Sequence, residues 1–286
     1  LLILVFGALP AYAGISAFLK SRRGRTTITA SPAGVRIDER RMFRTRMLAS
    51  YPAGDILDVD CAPDQFASAR ATAPTVFSRA QWGANERMRE SGPPGYGTIK
   101  AGFIHHTVNS NSYSSSQVPS LLRGIYAYHT QSRGWSDIGY NFLIDRFGTV
   151  YEGRYGGMAK AVVGAHAGGF NTGTFGVSLM GSFGSVKPPR AMRQSLRRFL
   201  AWKYDVHHTN VMGSTTYTSY GSSKYPAGRT VKLKRLSGHR DVSSTSCPGV
   251  EAYDLLPGLR RSVAELQGPV LLDPGVSRTV ARVADG

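Results

Sequence analysis

Two stretches far apart in the chain, FIHHT from Phe103 to Thr107 and GHRDVSSTSCPG from Gly238 to Gly249, carry the residues that most limit how this sequence can fold. His105, His239 and Cys247 supply two imidazoles and a thiol, donor types that bind zinc. Three protein donors leave one position of a tetrahedral ion open, which suits hydrolysis. No local zinc signature accompanies them, neither an HExxH helix nor a paired CxxC. The donors meet only if the fold joins a strand near the middle of the chain to a loop near its end.

Cys61 and Cys247 are the two cysteines, too few for a disulfide framework, and a Cys61–Cys247 bridge is the competing use of the second. A composition of 41% hydrophobic and 19% charged residues over 286 positions fits one large domain with an appendage. The net charge of +17 calls for an anionic partner, whether nucleic acid, a membrane face or an acidic bacterial wall. The basic residues are scattered and no recognised nucleic-acid motif accompanies them, so nucleic acid is not expected.

Residues 1–19, LLILVFGALPAYAGISAFL, form an apolar run that spans about 28 Å as a helix at roughly 1.5 Å per residue, and read as a membrane or signal-like segment. AYA before Gly14 resembles a signal-peptidase site, but Lys20, Arg22, Arg23 and Arg25 come after the run, where a signal peptide has its basic residues first. The positive-inside tendency then places the chain beyond Leu19 in the cytoplasm. The chain opens without Met, which predicts an upstream portion. Residues 20–61 read as a small basic β-rich segment, with strands in TTITA and VRIDE, a turn at SPAG and an apolar-acidic DILDVD. This segment weakly resembles membrane-attached bacterial pleckstrin-homology-like modules, against the simpler reading of a basic hairpin. Residues 62–76 read as a linker, 77–268 as the main domain and 269–286 as a tail.

Inside the main domain GFIHHTV fits a buried strand, and a helix comes next with Ser116 as N-cap and an apolar face of Val118, Leu121, Leu122, Ile125 and Tyr128. GYNFLIDRFGTVYEGR reads as a hairpin turning at Arg146 to Gly148, and TFGVSLMG as another buried strand. PPRAMRQSLRRFLAWKYDV and VEAYDLLPGLRRSVAEL read as amphipathic helices. The fold class is α/β in the α+β sense, a central mixed sheet flanked by helices. His106 points away from His105 by strand alternation and is expected to be packed or hydrogen-bonded. His129 is expected to make a structural hydrogen bond, Trp82 and Trp135 to pack, and His207 and His208 to face solvent. Residues 209–230 read as a long loop.

Six ordered blocks, SRAQWGA, FIHHT, GWSDIGYNFLID, GTVYEGR, GAHAGGFNTGTFGVSLMG and GHRDVSSTSCPG, together resemble the peptidoglycan recognition proteins of the type-2 N-acetylmuramoyl-L-alanine amidase superfamily. The resemblance covers residues 77–268. It implies Zn2+ held by His105, His239 and Cys247, with Tyr140 and Thr245 at catalytic positions. It also implies that His166 and Asn171 contact substrate while Gly168 and Gly169 let the glycopeptide approach the backbone. The implied reaction is hydrolysis of the amide between N-acetylmuramic acid and L-alanine in peptidoglycan. The implied molecule is a monomer, extracellular or associated with the wall or membrane of a bacterium, with residues 1–19 as a possible membrane attachment. The alternative is a peptidoglycan-binding protein without catalysis, whose family members typically lack the thiolate ligand.

Overall fold

The computed structural model describes residues 15–21, 24–31, 34–41, 44–52 and 71–267. The expectations for residues 1–14, for DILDVD, for Cys61 and for the tail lie outside the described residues. Two compact units divide the chain, Leu1–Ser68 and Ala69–Gly286.

The first unit is an antiparallel meander of β1 (Ile15–Ser21), β2 (Gly24–Ser31), β3 (Gly34–Arg41) and β4 (Arg44–Pro52). Its register runs from Ile15 opposite Ala30 to Ser21 opposite Gly24, with an irregularity between Ile37 and Asp38. A single helix over residues 1–19 is therefore not what forms, since Ile15–Leu19 lie in β1. That segment pairs with the Thr-rich, β-branched TTIT of β2, a sequence suited to a pleated strand. Among the described residues no helix is long and apolar enough to cross a membrane.

The second unit begins its strands at β5 (Val76–Phe77) and β6 (Ala101–His106), succeeded by helix α1 (Val118–Ala127). The hairpin β7 (Phe142–Ile144) and β8 (Val150–Glu152) comes next, then β9 (Thr174–Leu179) and α2 (Arg190–Val206). A second hairpin, β10 (Ser214–Thr218) and β11 (Thr230–Lys234), precedes β12 (Leu236–Gly238), the short α3 (Val250–Tyr253) and α4 (Leu256–Gln267). The main sheet has the order β12-β6-β9-β7-β8-β5. It is parallel across β12, β6, β9 and β7 and antiparallel between β7 and β8, so the expected mixed sheet is present.

Strand alternation sorts the core onto two faces. On one face Ile104, Phe142, Ile144, Val177 and Leu179 pack against Leu196, Phe199 and Leu200 of α2 and Leu256 and Val263 of α4. Each such fully buried Phe or Leu contributes roughly 1.5–3 kcal/mol. The opposite face holds two separate clusters. Trp82, Leu122, Tyr126, Ile138 and Leu143 pack beneath α1, and Phe103, Phe170, Tyr217 and Leu233 beneath the β10–β11 hairpin. His105 and Ser178 share the parity of Phe103 and Gly176 and so emerge on this second face.

Two details of α1 differ from the spacing argument. The chain enters through a 3-10 turn at Ser115–Gln117, so the capping residue is Ser114, whose N–H donates to Gln117 Oε1 at 2.8 Å, and not Ser116. At the other end the helix widens into a single π turn, Tyr128–Ser132. The extra residue rotates the stripe, leaving Tyr128 55% exposed and turning His129 into the interior.

Candidate functional site

Parallel pairing assembles the three donors. Gly238 at the end of β12 stands opposite Ile104 of β6, so the next residues along the two strands, His239 and His105, fall side by side with ring centroids 4.6 Å apart. His239 then opens a 3-10 turn, His239–Asp241, closed by Gly238 N–H donating to Asp241 Oδ2 at 2.8 Å. Asp241 Oδ1 accepts from the Tyr253 hydroxyl at 2.6 Å, tying the turn to α3. The loop returns through Arg240 N–H to Cys247 O at 3.0 Å, bringing Cys247 Sγ to 3.8 Å from His105 Nδ1. One donor atom from each of His105, His239 and Cys247 lies within 4.8 Å of the others.

The electrostatics of this group suit a cation. Burial holds His105 well below the usual imidazole range, and burial with neighbouring His106 brings His239 down to about 4, so both rings are neutral at pH 7 with lone pairs free. Burial pushes the Cys247 thiol up to about 11, opposed by the His106 N–H at 3.4 Å and by Arg240. A buried thiolate here requires a positive charge inside the cluster, which a divalent ion supplies. Beside His105, its register partner Ser178 buries a hydroxyl that has no hydrogen-bond partner among the described residues. Two neutral imidazoles and a thiol in such a cluster fit zinc.

Tyr140 lies at the rim of the same group, its ring centroid 5.4 Å from His105 and 5.4 Å from His129. Burial, reinforced by Cys247, pushes its phenol up to about 12, so it is a protonated donor at neutral pH. Its setting comes from Asp137, which the sequence pattern alone does not single out, and from His129, whose expected structural hydrogen bond is present. Asp137 Oδ1 accepts from Ile138 N–H at 2.7 Å and from Arg79 Nη1 at 3.1 Å, and Asp137 Oδ2 accepts from Tyr155 N–H at 2.8 Å. His129, stacked on Trp135 at 4.6 Å, accepts from Gly139 N–H through Nδ1 at 3.1 Å, and burial with nearby Arg154 brings it down to about 4. Both bonds fix the backbone immediately before Tyr140. The signal for Asp137 is its place in the GWSDIGYNF block.

The remaining expected residues take varied places. His106 points to the α2 side, where its Nδ1 accepts from Phe183 N–H at 3.3 Å. Thr245 is exposed and its Oγ1 accepts from Cys247 N–H at 3.2 Å, shaping the ligand loop. His166 is buried beneath His105, with His166 Nδ1 3.1 Å from His105 Nε2. Asn171 Oδ1 accepts from the N–H groups of His166 and Ala167 at 2.9 and 2.8 Å, closing that turn. Gly169, at φ +75°, is approached by the chain itself: an added Cβ would lie 2.5 Å from the carbonyl oxygen of Gly221. His208 is exposed, whereas His207 is half-buried.

The long loop after β10 bridges the His166–Asn171 turn and the stretch from His239 to Cys247. Tyr220 N–H donates to Gly169 O at 2.9 Å, and Lys224 Nζ donates to Arg240 O at 2.9 Å. Ser244 N–H donates to Ser223 Oγ at 2.9 Å, pinning the loop to the stretch that carries Cys247.

A family model described as N-acetylmuramoyl-L-alanine amidase matches residues 95–250. The chain is 31% identical over 183 residues to peptidoglycan-recognition protein SC2 of Drosophila melanogaster, covering 63% of this chain and 83% of that one. It is 30% identical over 199 residues to human N-acetylmuramoyl-L-alanine amidase, covering 68% of this chain and 30% of that one. Among solved structures, human PGRP-IBETAC in complex with glycosamyl muramyl pentapeptide superposes with a TM-score of 0.51 at 26% identity, over 64% of this chain and 95% of that one.

Proposed function

The chain belongs to the N-acetylmuramoyl-L-alanine amidase family, and from that premise we propose that it hydrolyses the amide joining N-acetylmuramic acid to L-alanine of the peptidoglycan stem peptide. The observation that carries this reading is the meeting of His105, His239 and Cys247 beside the Tyr140 phenol. His105, His239 and Cys247 would hold zinc, which when bound supplies Lewis acidity to the scissile carbonyl and activates water at neutral pH.

The chain's own groups do the remaining work. Tyr140, protonated at neutral pH, donates a hydrogen bond to the carbonyl oxygen as it gains charge, an interaction that strengthens toward the transition state. Asp137 and His129 hold the Tyr140 backbone so that the phenol meets substrate in a fixed orientation. Thr245 brings no charge and serves through the turn that carries Cys247. The bridging loop walls one side of the site, and the net charge of +17 concentrates the chain on an anionic bacterial wall.

Mass spectrometry of purified peptidoglycan fragments after incubation, with and without zinc, tests this reading. Release of free stem peptide beginning in L-alanine, only with zinc, is the expected result. Fragments recovered intact but retained on the protein would assign it to peptidoglycan binding alone.

A further inference from the structure

His166 is 5% exposed, and its ring is edge-on to His105, with centroids 5.1 Å apart at 78°. The hydrogen bonds around it run in one direction only. Thr174, fully buried, has one hydroxyl proton, and its Oγ1 lies 2.6 Å from Phe170 O, an acceptor that takes that proton. Asn171 O, 3.1 Å from the same Oγ1, is also an acceptor. Thr174 Oγ1 therefore meets His166 Nε2, 3.4 Å away, as an acceptor, and Nε2 carries the hydrogen. The lone pair of His166 then sits on Nδ1, 3.1 Å from His105 Nε2, which must donate to it. A neutral His105 protonated on Nε2 has its lone pair on Nδ1, the nitrogen that faces Cys247 Sγ at 3.8 Å.

The fold reserves space for this ring. A Cβ added to Gly176 on β9 would lie 2.4 Å from His166 Cγ, and one added to Gly164 would lie 2.5 Å from His166 Cδ2. Asn141 keeps the slot in register, its Oδ1 accepting from Gly176 N–H at 2.8 Å. Asn171 clamps the two backbone N–H groups at the His166 turn.

We propose that His166 is a positioning residue: it accepts the Nε2 hydrogen of His105, fixing that ring's tautomer and orientation so that Nδ1 is presented to a metal ion. This rests on the reading of His105, His239 and Cys247 as metal ligands. Hydrogen bonds to the far nitrogen of a ligating histidine commonly change metal affinity by about 10–100-fold.

The experiment measures zinc affinity of the full chain by chelator competition. His166→Phe is expected to weaken zinc binding by about 10-fold or more, and His166→Gln, whose amide oxygen still accepts, to recover most of the loss. Gly176→Ala, which keeps the imidazole in the chain but fills its slot and displaces the ring, is expected to weaken zinc as His166→Phe does. Wild-type zinc affinity in folded His166→Phe or Gly176→Ala overturns the proposal. Nitrogen NMR of the metal-free chain gives a second readout, with His105 protonated on Nε2 in the wild type. Finding the Nδ1 tautomer there overturns the proposal even if the variants fail to fold. A wild type that takes up no zinc but shows the Nε2 tautomer would overturn the metal reading and leave the hydrogen-bond assignment supported.

Discussion

The rings of His105 and Tyr140 stand with centroids 5.4 Å apart, although one lies on β6 and the other just ahead of β7. Between those strands runs β9, and its Ser178 is the register partner of both His105 and Leu143. The parallel β6-β9-β7 core thus lays a small side chain between a ligand-type imidazole and a phenol.

Replacing Tyr140 with Phe removes one hydroxyl and keeps the ring packed against His105 and His129. Turnover on a soluble muramyl peptide is expected to fall about 100-fold, the scale of one lost oxyanion donor, with zinc content and fragment affinity unchanged. Steady-state kinetics beside metal analysis checks it. Turnover within twofold of wild type would leave Tyr140 as packing.

Cys247→Ser exchanges a thiol that metal can ionise for a hydroxyl that stays protonated. Zinc content is expected to drop below about one-tenth of an ion per chain and amidase activity to vanish, while peptidoglycan pull-down persists. Unfolding of the metal-free wild type, monitored by circular dichroism, would instead assign zinc a structural role.

Much of this arrangement is legible in the chain, and the reason differs residue by residue. GFIHHTV reads as a buried strand because a compact apolar run bounded by polar turns suits one, and alternation separates His106 from His105 correctly. β12 escapes such reading because a three-residue strand shows no period, yet its parallel register is what seats His239 beside His105. Tyr128 leaves the apolar face because a π turn breaks the 3.6-residue spacing, an event periodicity cannot signal. His166 and Asn171 carry the right chemistry for substrate contact, and only the Gly164 and Gly176 slot shows where the imidazole packs.

His105, His239, Cys247 and Tyr140 all belong to the second unit, which is anchored at its start by Ala71 N–H donating to Asp205 Oδ2 at 2.6 Å. Deleting residues 1–60 is expected to leave zinc content and turnover on soluble fragments within twofold of the full chain, about 0.4 kcal/mol in barrier. A tenfold drop in the same assay would tie the first unit to the catalytic one.

Lys203 gives the fold a pH dependence that lies away from His105, His239 and Cys247. Its ammonium is 1% exposed on α2 and donates to the carbonyl oxygens of Met158 at 2.7 Å and Lys160 at 2.9 Å. Burial pushes it down to about 7 from 10.5. A lysine lowered in the folded state means that the unfolded chain binds more protons between those two values, so stability rises with pH across that window. The penalty for charging Lys203 is fully present below pH 7 and disappears toward pH 10.5. Lys203→Met abolishes this contribution while leaving the other titrating groups in place. Denaturant unfolding at pH 7 and pH 9 is therefore expected to show the wild type gaining about 2 kcal/mol relative to the variant. Parallel stabilities at the two pH values would mean that the two carbonyls hold Lys203 charged throughout, and that its burial costs the fold no proton.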